Sequence, residues 1–137
     1  MMPTMLDTNV IIDILENRSH SRKMVRAIRG KQVRLVVCET GLRELRRVRE
    51  WSEDVVLTGL EELFGRGRIV VSDPPKDLKT HAKELERRYE MAHNGDVHIL
   101  AQCRMDGCAL ITRDGNMRQV ASMIGVLVFH PKHADRL

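Results

Sequence analysis

Aromatic residues are scarce in this sequence: two Phe, one Tyr and one Trp make up 3% of the 137 residues. Proteins that bind single-stranded nucleic acid without cutting it usually stack the bases on several exposed aromatic rings. The composition therefore argues against a base-stacking platform. It also requires an aliphatic core, and a chain of this length with 42% hydrophobic residues can form one such core but hardly two.

Cysteines are few as well, and Cys38, Cys103 and Cys108 form no CxxC pair. Their odd number and their spacing argue against a disulfide scaffold and a zinc site, and favour a reducing compartment. The N-terminus has no basic segment followed by a long apolar stretch, which is the pattern of a signal peptide. No apolar run approaches the roughly 20 residues that span a bilayer. We therefore expect a soluble cytoplasmic protein with no membrane partner.

The charge of the chain is positive, with a formal value of +4 and a pI of about 9.3. Lys and Arg neutralise phosphates and release counterions, so this balance favours a polyanionic partner. It does not identify one, because many basic proteins never bind nucleic acid.

Short apolar runs alternate with segments of helical periodicity. The predicted strands are 4–6, 33–38, 68–71, 108–112 and 126–129, and the predicted helices are 10–15, 21–29, 40–51, 54–64, 76–91, a helix capped by Asp96, and 116–124. A turn at His93-Asn94-Gly95 is expected to interrupt the chain. Such alternation produces βαβ crossovers. We expect a single domain over 1–137, a three-layer α/β/α fold with a parallel sheet of four or five strands.

Four carboxylates are placed where they could meet at one edge of this sheet. Asp7 directly follows the first strand, Asp114 follows the fourth, Asp96 opens a helix, and Glu44 lies one turn into the helix after the second strand. Ligands of open α/β sheets bind beyond the carboxyl ends of the strands. Each acid also has a structural interpretation, since an isolated Asp before a helix is typically a cap and a Glu among arginines is typically solvated or ion-paired.

Converging carboxylates would have a specific chemical use. Mg²⁺ and Mn²⁺ prefer oxygen ligands and keep several waters. An ion held in this way activates water and stabilises charge on a phosphodiester during in-line displacement, and two ions support both the attacking and the leaving oxygen. The acids therefore indicate phosphodiester hydrolysis if the fold brings them together.

Four segments resemble the motifs of a known family. They are Met5-Leu6-Asp7-Thr8-Asn9-Val10-Ile11-Ile12-Asp13, Glu44-Leu45, Gly95-Asp96-Val97-His98-Ile99-Leu100-Ala101 and Leu110-Ile111-Thr112-Arg113-Asp114. In this order and spacing the chain resembles the PIN domain, particularly the toxin nucleases of the VapC type, from about residue 4 to residue 130. The first and fourth motifs are fairly specific, and the second is loose.

The resemblance implies a PIN-like fold and metal-dependent cleavage of RNA with water as the nucleophile. It implies that the catalytic and metal-binding acids are Asp7, Glu44, Asp96 and Asp114, supported by Thr8, Thr112 and Asn116. The expected cofactor is Mg²⁺ or Mn²⁺. The expected partners are an RNA substrate, a small antitoxin that blocks the acidic crevice, and a second copy of the chain in a homodimer.

One position departs from the family pattern, and the acid of the second motif has an alternative. Asn116 stands where many members carry a further acid. Its amide oxygen can ligate but brings no charge, so a second metal ion is expected to bind poorly. Glu39, nearer the strand end, is the alternative to Glu44, and the following Leu45 and the helical position favour Glu44.

Arginines near the acids are candidate RNA contacts, because guanidinium groups pair well with phosphate. Arg43, Arg46 and Arg47 recur along one side of a helix, and Arg113 and Arg118 flank the fourth acid. A solvated helix face is the equally weighted alternative for the first three. The histidines lack zinc-site spacing and are expected on the surface or in loops.

The leading function is an endoribonuclease toxin of a toxin–antitoxin pair. An RNA-processing or decay enzyme without an antitoxin is closely related. The alternative from another class is a catalytically weak or inactive PIN-like protein that binds RNA or acts as a scaffold, which Asn116 favours and the four other acids oppose. A DNA flap nuclease ranks last.

Overall fold

A computed structural model describes residues 2–90 and 95–137 of the chain. The strands are β1 Thr4–Leu6, β2 Leu35–Cys38, β3 Ile69–Ser72, β4 Ala109–Ile111 and β5 Val128–Phe129. The helices are α1 Thr8–Leu15, α2 Arg22–Arg29, α3 Glu39–Arg49, α4 Glu53–Phe64, α5 Leu78–Arg88, α6 Asp96–Asp106 and α7 Gly115–Met123. Short 3₁₀ segments lie at Ser19–Ser21 and Pro131–Arg136.

The strands form one parallel sheet in the order β3-β2-β1-β4-β5. β1 is central and pairs with β2 through Met5 and Val36, and with β4 through Met5 and Leu110. The predicted parallel sheet is confirmed, with five strands. None of the helices in the described ranges is long and apolar enough to cross a bilayer.

Consecutive strand residues face opposite sides of the sheet, and both sides are buried. On β1, Met5 joins the core formed with α5, α6 and α7, whereas Leu6 joins the core formed with the first four helices. On β4, Leu110 and Ile111 divide between the two cores in the same way. The three-layer α/β/α prediction is therefore confirmed, because both faces of a parallel sheet must be covered by helices.

The element boundaries differ from the sequence predictions by a few residues. β2 begins at Leu35 rather than 33, and α5 ends at Arg88 rather than 91. Met91 and the predicted turn residues His93 and Asn94 lie outside the described residues. The helix expected over 21–29 is preceded by a 3₁₀ turn. The 3₁₀ segment at Pro131–Arg136 had no sequence prediction.

Arg68 joins several chain segments at the amino edge of the sheet. Its guanidinium donates to the carbonyl oxygens of Ile28, Lys31, Val33 and Phe64. The bonds to Ile28 and Val33 measure 3.1 and 3.2 Å. Carbonyls at the ends of helices lack intrahelical partners, so one cation here satisfies groups at the ends of both α2 and α4.

The three cysteines are free and buried. Burial raises the pKa of Cys38 and of Cys108 to about 11, and raises that of Cys103 further. At pH 8 we therefore expect a disulfide reagent such as DTNB to label the folded protein at least about tenfold more slowly than the unfolded chain, because the thiolate is the reactive form. Rapid labelling of even one thiol in the folded protein would contradict this burial.

Candidate active site

The carboxyl ends of β1 and β4 bring Asp7 and Asp114 into one crevice. The chain runs from β1 outward to β2 and β3 and then returns to the other side of β1 as β4. Such a reversal is the point at which open α/β sheets bind ligands. Thr112 Oγ1 donates to Asp7 Oδ2 at 2.6 Å, and the Asp114 backbone N–H donates to the same Oγ1 at 3.1 Å. One hydroxyl thus links the two acid-bearing segments.

Both of these aspartates also cap helices. Asp7 Oδ1 accepts the N–H of Thr8 at 2.8 Å at the start of α1. Asp114 Oδ1 accepts the N–H of Met117 at 3.1 Å at the start of α7. The structural interpretation of these residues is therefore correct, but it does not exclude a second role, since each carboxylate oxygen offers two lone pairs.

The Glu44 side chain lies where α3 passes Gly95, directly before the start of α6 at Asp96. A Cβ atom built on Gly95 would lie 2.6 Å from Glu44 Oε2, so the missing side chain lets the Glu44 carboxylate lie against this backbone. The expectation that Asp96 caps α6 is wrong in detail, because Gly95 holds the cap position and Asp96 is the first helical residue. A negative charge in the first turn is still favoured by the helix dipole.

Three of the four predicted acids are electrostatically coupled. Asp7 is only 2% exposed, and this burial raises the pKa of its carboxyl group above the ordinary aspartate value. Hydrogen bonds from Thr112 and Thr8 oppose the rise in pKa, while the charges of Glu44 and Asp114 add to it. An uncompensated group of negative charges of this kind attracts a cation.

The spacing of the acids bears on which cation fits. Within residues 2–90 and 95–137, no three His, Cys, Asp or Glu side chains are close enough to hold a metal ion together. Zinc sites take most of their ligands directly from the protein. Mg²⁺ instead keeps several waters and needs only one or two carboxylates. Asp7, Glu44 and Asp114 offer carboxylate oxygens, and donors of this chemistry fit a hydrated, oxygen-ligated divalent ion.

The three predicted supporting residues differ in burial and in hydrogen bonding. Thr112 is buried and bonded to Asp7, as described above. Thr8 is also buried, but its Oγ1 has no hydrogen-bond partner among the described residues. Asn116 is exposed in the first turn of α7. The side-chain oxygen of Asn9, which the sequence reasoning did not single out, is buried and likewise without a described partner.

Arg113, a predicted RNA contact, forms an ion pair with a residue that sequence reasoning missed. Its Nε lies 2.6 Å from Oδ2 of Asp13, whose side chain is only 3% exposed on α1. His20 Nε2 lies 3.1 Å from the same oxygen. The Arg113 side chain remains 42% exposed, so this pair leaves part of the guanidinium accessible. The signal available in the sequence was an acid between the apolar residues Ile12 and Ile14.

The arginines of α3 are on the surface. Arg43, Arg46 and Arg47 are exposed, and Arg43 forms an ion pair with Glu39. Glu39, the alternative acid of the second motif, is thus engaged by its own helix, whereas the charge of Glu44 acts on Asp7. The geometry favours Glu44 as the crevice acid.

Comparison with known proteins assigns the chain to a family. The PIN domain matches the chain over residues 4–123, so the chain belongs to the PIN-domain family. Members of the VapC branch of this family are nucleases that act on nucleic acid. A comparison with curated proteins gives no match.

Three solved structures have the same fold. VapBC-1 from nontypeable Haemophilus influenzae has a TM-score of 0.71 at 21% identity, covering 96% of this chain and 99% of that one. VapBC2 from Rickettsia felis, bound to a DNA fragment from its promoter, has a TM-score of 0.70 at 15% identity, covering 94% and 98%. A toxin–antitoxin complex from Klebsiella pneumoniae has a TM-score of 0.66 at 18% identity, covering 93% and 97%.

Proposed function

We propose that this protein is a metal-dependent endoribonuclease, a single PIN domain acting as the toxin of a toxin–antitoxin pair. The observation that carries the proposal is the crevice between β1 and β4, where the Asp7 carboxylate accepts a hydrogen bond from Thr112. Burial raises the pKa of this carboxyl group, and the charges of Glu44 and Asp114 raise it further. A fold that brings like charges together at a ligand-binding edge favours the binding of a compensating cation. A protein that serves only as a scaffold has no need of such a cluster of charges.

In this proposal one or two of the acids Asp7, Glu44, Asp96 and Asp114 would bind a hydrated Mg²⁺ or Mn²⁺ directly, and the others would bind it through its waters. The bound ion would supply an activated water and charge stabilisation on the phosphodiester. Thr112 keeps the Asp7 carboxylate in one orientation and ties the Asp114 backbone to it. Asn116 would contribute an amide oxygen without charge, so we expect one firmly bound ion rather than two.

The substrate would be held by cations around the crevice. Arg113 is partly exposed next to Asp114, and Arg43, Arg46 and Arg47 are exposed on α3, the helix of Glu44. RNA phosphates are natural partners for such guanidinium groups. The fold shared with VapBC and other toxin–antitoxin complexes supports a small antitoxin as protein partner, with a homodimer as the expected assembly of the chain.

The first experiment is cleavage of end-labelled tRNA and of an unstructured RNA by purified protein. Cleavage with Mg²⁺ or Mn²⁺ that stops with EDTA is the expected result. The same ions should raise the melting temperature of the protein, because an ion that binds only the folded state stabilises it. Protein freed from any co-purified inhibitor by denaturation and refolding is needed, since a bound antitoxin would hide the activity.

The competing function is RNA binding without cleavage. It would be supported if the refolded protein bound RNA and cut neither substrate with either ion, and the proposal of a nuclease would then be wrong. Cleavage that persists in EDTA would also contradict it, because the acids would then have no role as ion ligands.

Gly95→Ala provides a structural test of Glu44. The new Cβ would lie 2.6 Å from Glu44 Oε2, so the carboxylate must move away. We expect cleavage to fall about tenfold or more, since small displacements of positioned groups are costly. Stability should change little, because the displaced atom is the end of a flexible side chain. Gly115→Ala is a suitable control, because the nearest atom to its added Cβ is 3.8 Å away.

A further inference from the structure

A second cleft lies beside β5, at the same edge of the sheet as the acids. Its volume is about 470 Å³, and its charged or ionisable lining residues are Arg118, His130, Lys132, His133 and Arg136. This volume is within the range of small-ligand pockets. No acidic residue is among those that line it. Three of the lining side chains carry a fixed positive charge at neutral pH, so the cleft has the composition of an anion site.

The cleft adjoins the crevice through Arg118. The Nη1 atom of Arg118 donates to the carbonyl oxygens of Arg113 at 2.7 Å and Thr112 at 3.3 Å, which lie in the loop before Asp114. The backbone N–H of Thr112 also donates to the carbonyl oxygen of Phe129, at 3.1 Å, directly before His130. The last residues of β4 and β5 are thus neighbours, so the cleft lies next to the β4 side of the crevice.

His130 is arranged as a neutral hydrogen-bond donor in this cleft. The backbone N–H of Lys132 donates to its Nδ1 at 3.1 Å, so the neutral ring carries its hydrogen on Nε2. Burial lowers the pKa of His130, and the charges of Arg118 and Lys132 lower it further. The ring therefore adds a donor without adding another charge to a crowded cationic group.

We propose that this cleft binds phosphates of the RNA strand at a distance from the scissile bond, an extension of the proposed nuclease site. A phosphodiester fits this cleft because its cations and the N–H donor of His130 lie beside the acids. Without these groups, the acids would repel a negatively charged strand. The sequence analysis expected His130 and His133 on the surface or in loops and assigned them no ligand, since neither has a metal-site spacing.

Binding of a labelled single-stranded RNA in EDTA tests the proposal independently of cleavage. The test variant is Lys132→Ala/Arg136→Ala, which changes two exposed cleft residues. The matched control is Lys79→Ala/Lys83→Ala, which removes the same charge from exposed positions on α5. Affinity is measured over a series of salt concentrations, because each phosphate contact on a single strand contributes about 0.7 to the slope of log K against log salt.

The cleft variant is expected to bind RNA at least about fivefold more weakly at low salt, with the slope reduced by about 1.4, whatever the RNA sequence. The control should keep the slope of the unmodified protein. Equal slopes in the two double variants would overturn the proposal. If RNA binding is lost only in the cleft variant and no cleavage is found in any protein, the cleft stands and the nuclease proposal fails.

Inorganic phosphate separates an RNA site from a site for the free anion. The imidazole NMR signals of His130 and His133 should shift with the RNA at concentrations far below those needed with inorganic phosphate, since one strand brings several phosphates. Shifts with inorganic phosphate but none with RNA would overturn the proposal.

Discussion

Asp7→Asn is expected to reduce RNA cleavage on the order of a thousandfold while leaving the fold intact. The substitution keeps the size of the side chain and an oxygen that can accept the Thr8 N–H, and Asn caps helices as well as Asp. It removes the negative charge that the proposed ion requires, and loss of one member of a catalytic group commonly costs this much. The measurement is the cleavage rate of labelled tRNA with Mg²⁺ and with Mn²⁺.

This substitution separates the two interpretations of Asp7. If the residue is only a helix cap, Asn performs the same task and the cleavage rate stays unchanged. Asp54→Asn, at an exposed position in the first turn of α4, controls for the loss of one negative charge. Equal cleavage by the unmodified protein and Asp7→Asn, whether it comes from this protein or from a contaminating nuclease, would remove the support for the proposed site.

Arg68→Ala is expected to lower the free energy of unfolding by about 3 kcal/mol. The guanidinium donates to carbonyl oxygens from α2, α4 and the segment before β2, and alanine removes this shared donor from partly buried acceptors. The measurement is urea denaturation, in which the midpoint should fall without a change in slope. Cleavage below the midpoint should be unaffected, because Arg68 lies at the amino edge and the acids lie at the carboxyl edge.

Arg66→Ala is the control for this prediction. Arg66 is exposed two residues earlier, so its removal should alter stability by less than about 0.5 kcal/mol. Similar losses in the two variants would mean that the effect comes from net charge rather than from the hydrogen bonds of Arg68.

The fold could be predicted because its signals are local. β1 was predicted at its observed bounds, since three residues that suit a buried strand precede a capping Asp. The covering of both sheet faces by helices followed from the alternation of strands and helices along the chain. Boundaries were less accurate where local signals were lacking: α5 ends three residues earlier than expected, and the 3₁₀ segment at Pro131–Arg136 has too short a repeat to give a periodic pattern.

The candidate site could be predicted only in part, because much of it depends on contacts between distant segments. The acids could be named from their positions after strands and from family motifs, but their spacing and coupling could not. The pair of Asp13 and Arg113 joins residues 100 positions apart, and nothing near either residue indicates the other. The cationic cleft likewise combines α7 with the C-terminal 3₁₀ segment, so its lining residues looked like separate surface charges.

The central position of β1 has a consequence for synthesis of the chain. Asp7 leaves the ribosome 105 residues ahead of Thr112, whose hydroxyl donates to its carboxylate. At ordinary translation rates this interval lasts roughly 5–20 s. During this interval β4, the strand that completes the crevice, has not yet been synthesised. A nascent chain therefore cannot bring Asp7 and Asp114 together before β4 and the segment that follows it have been synthesised.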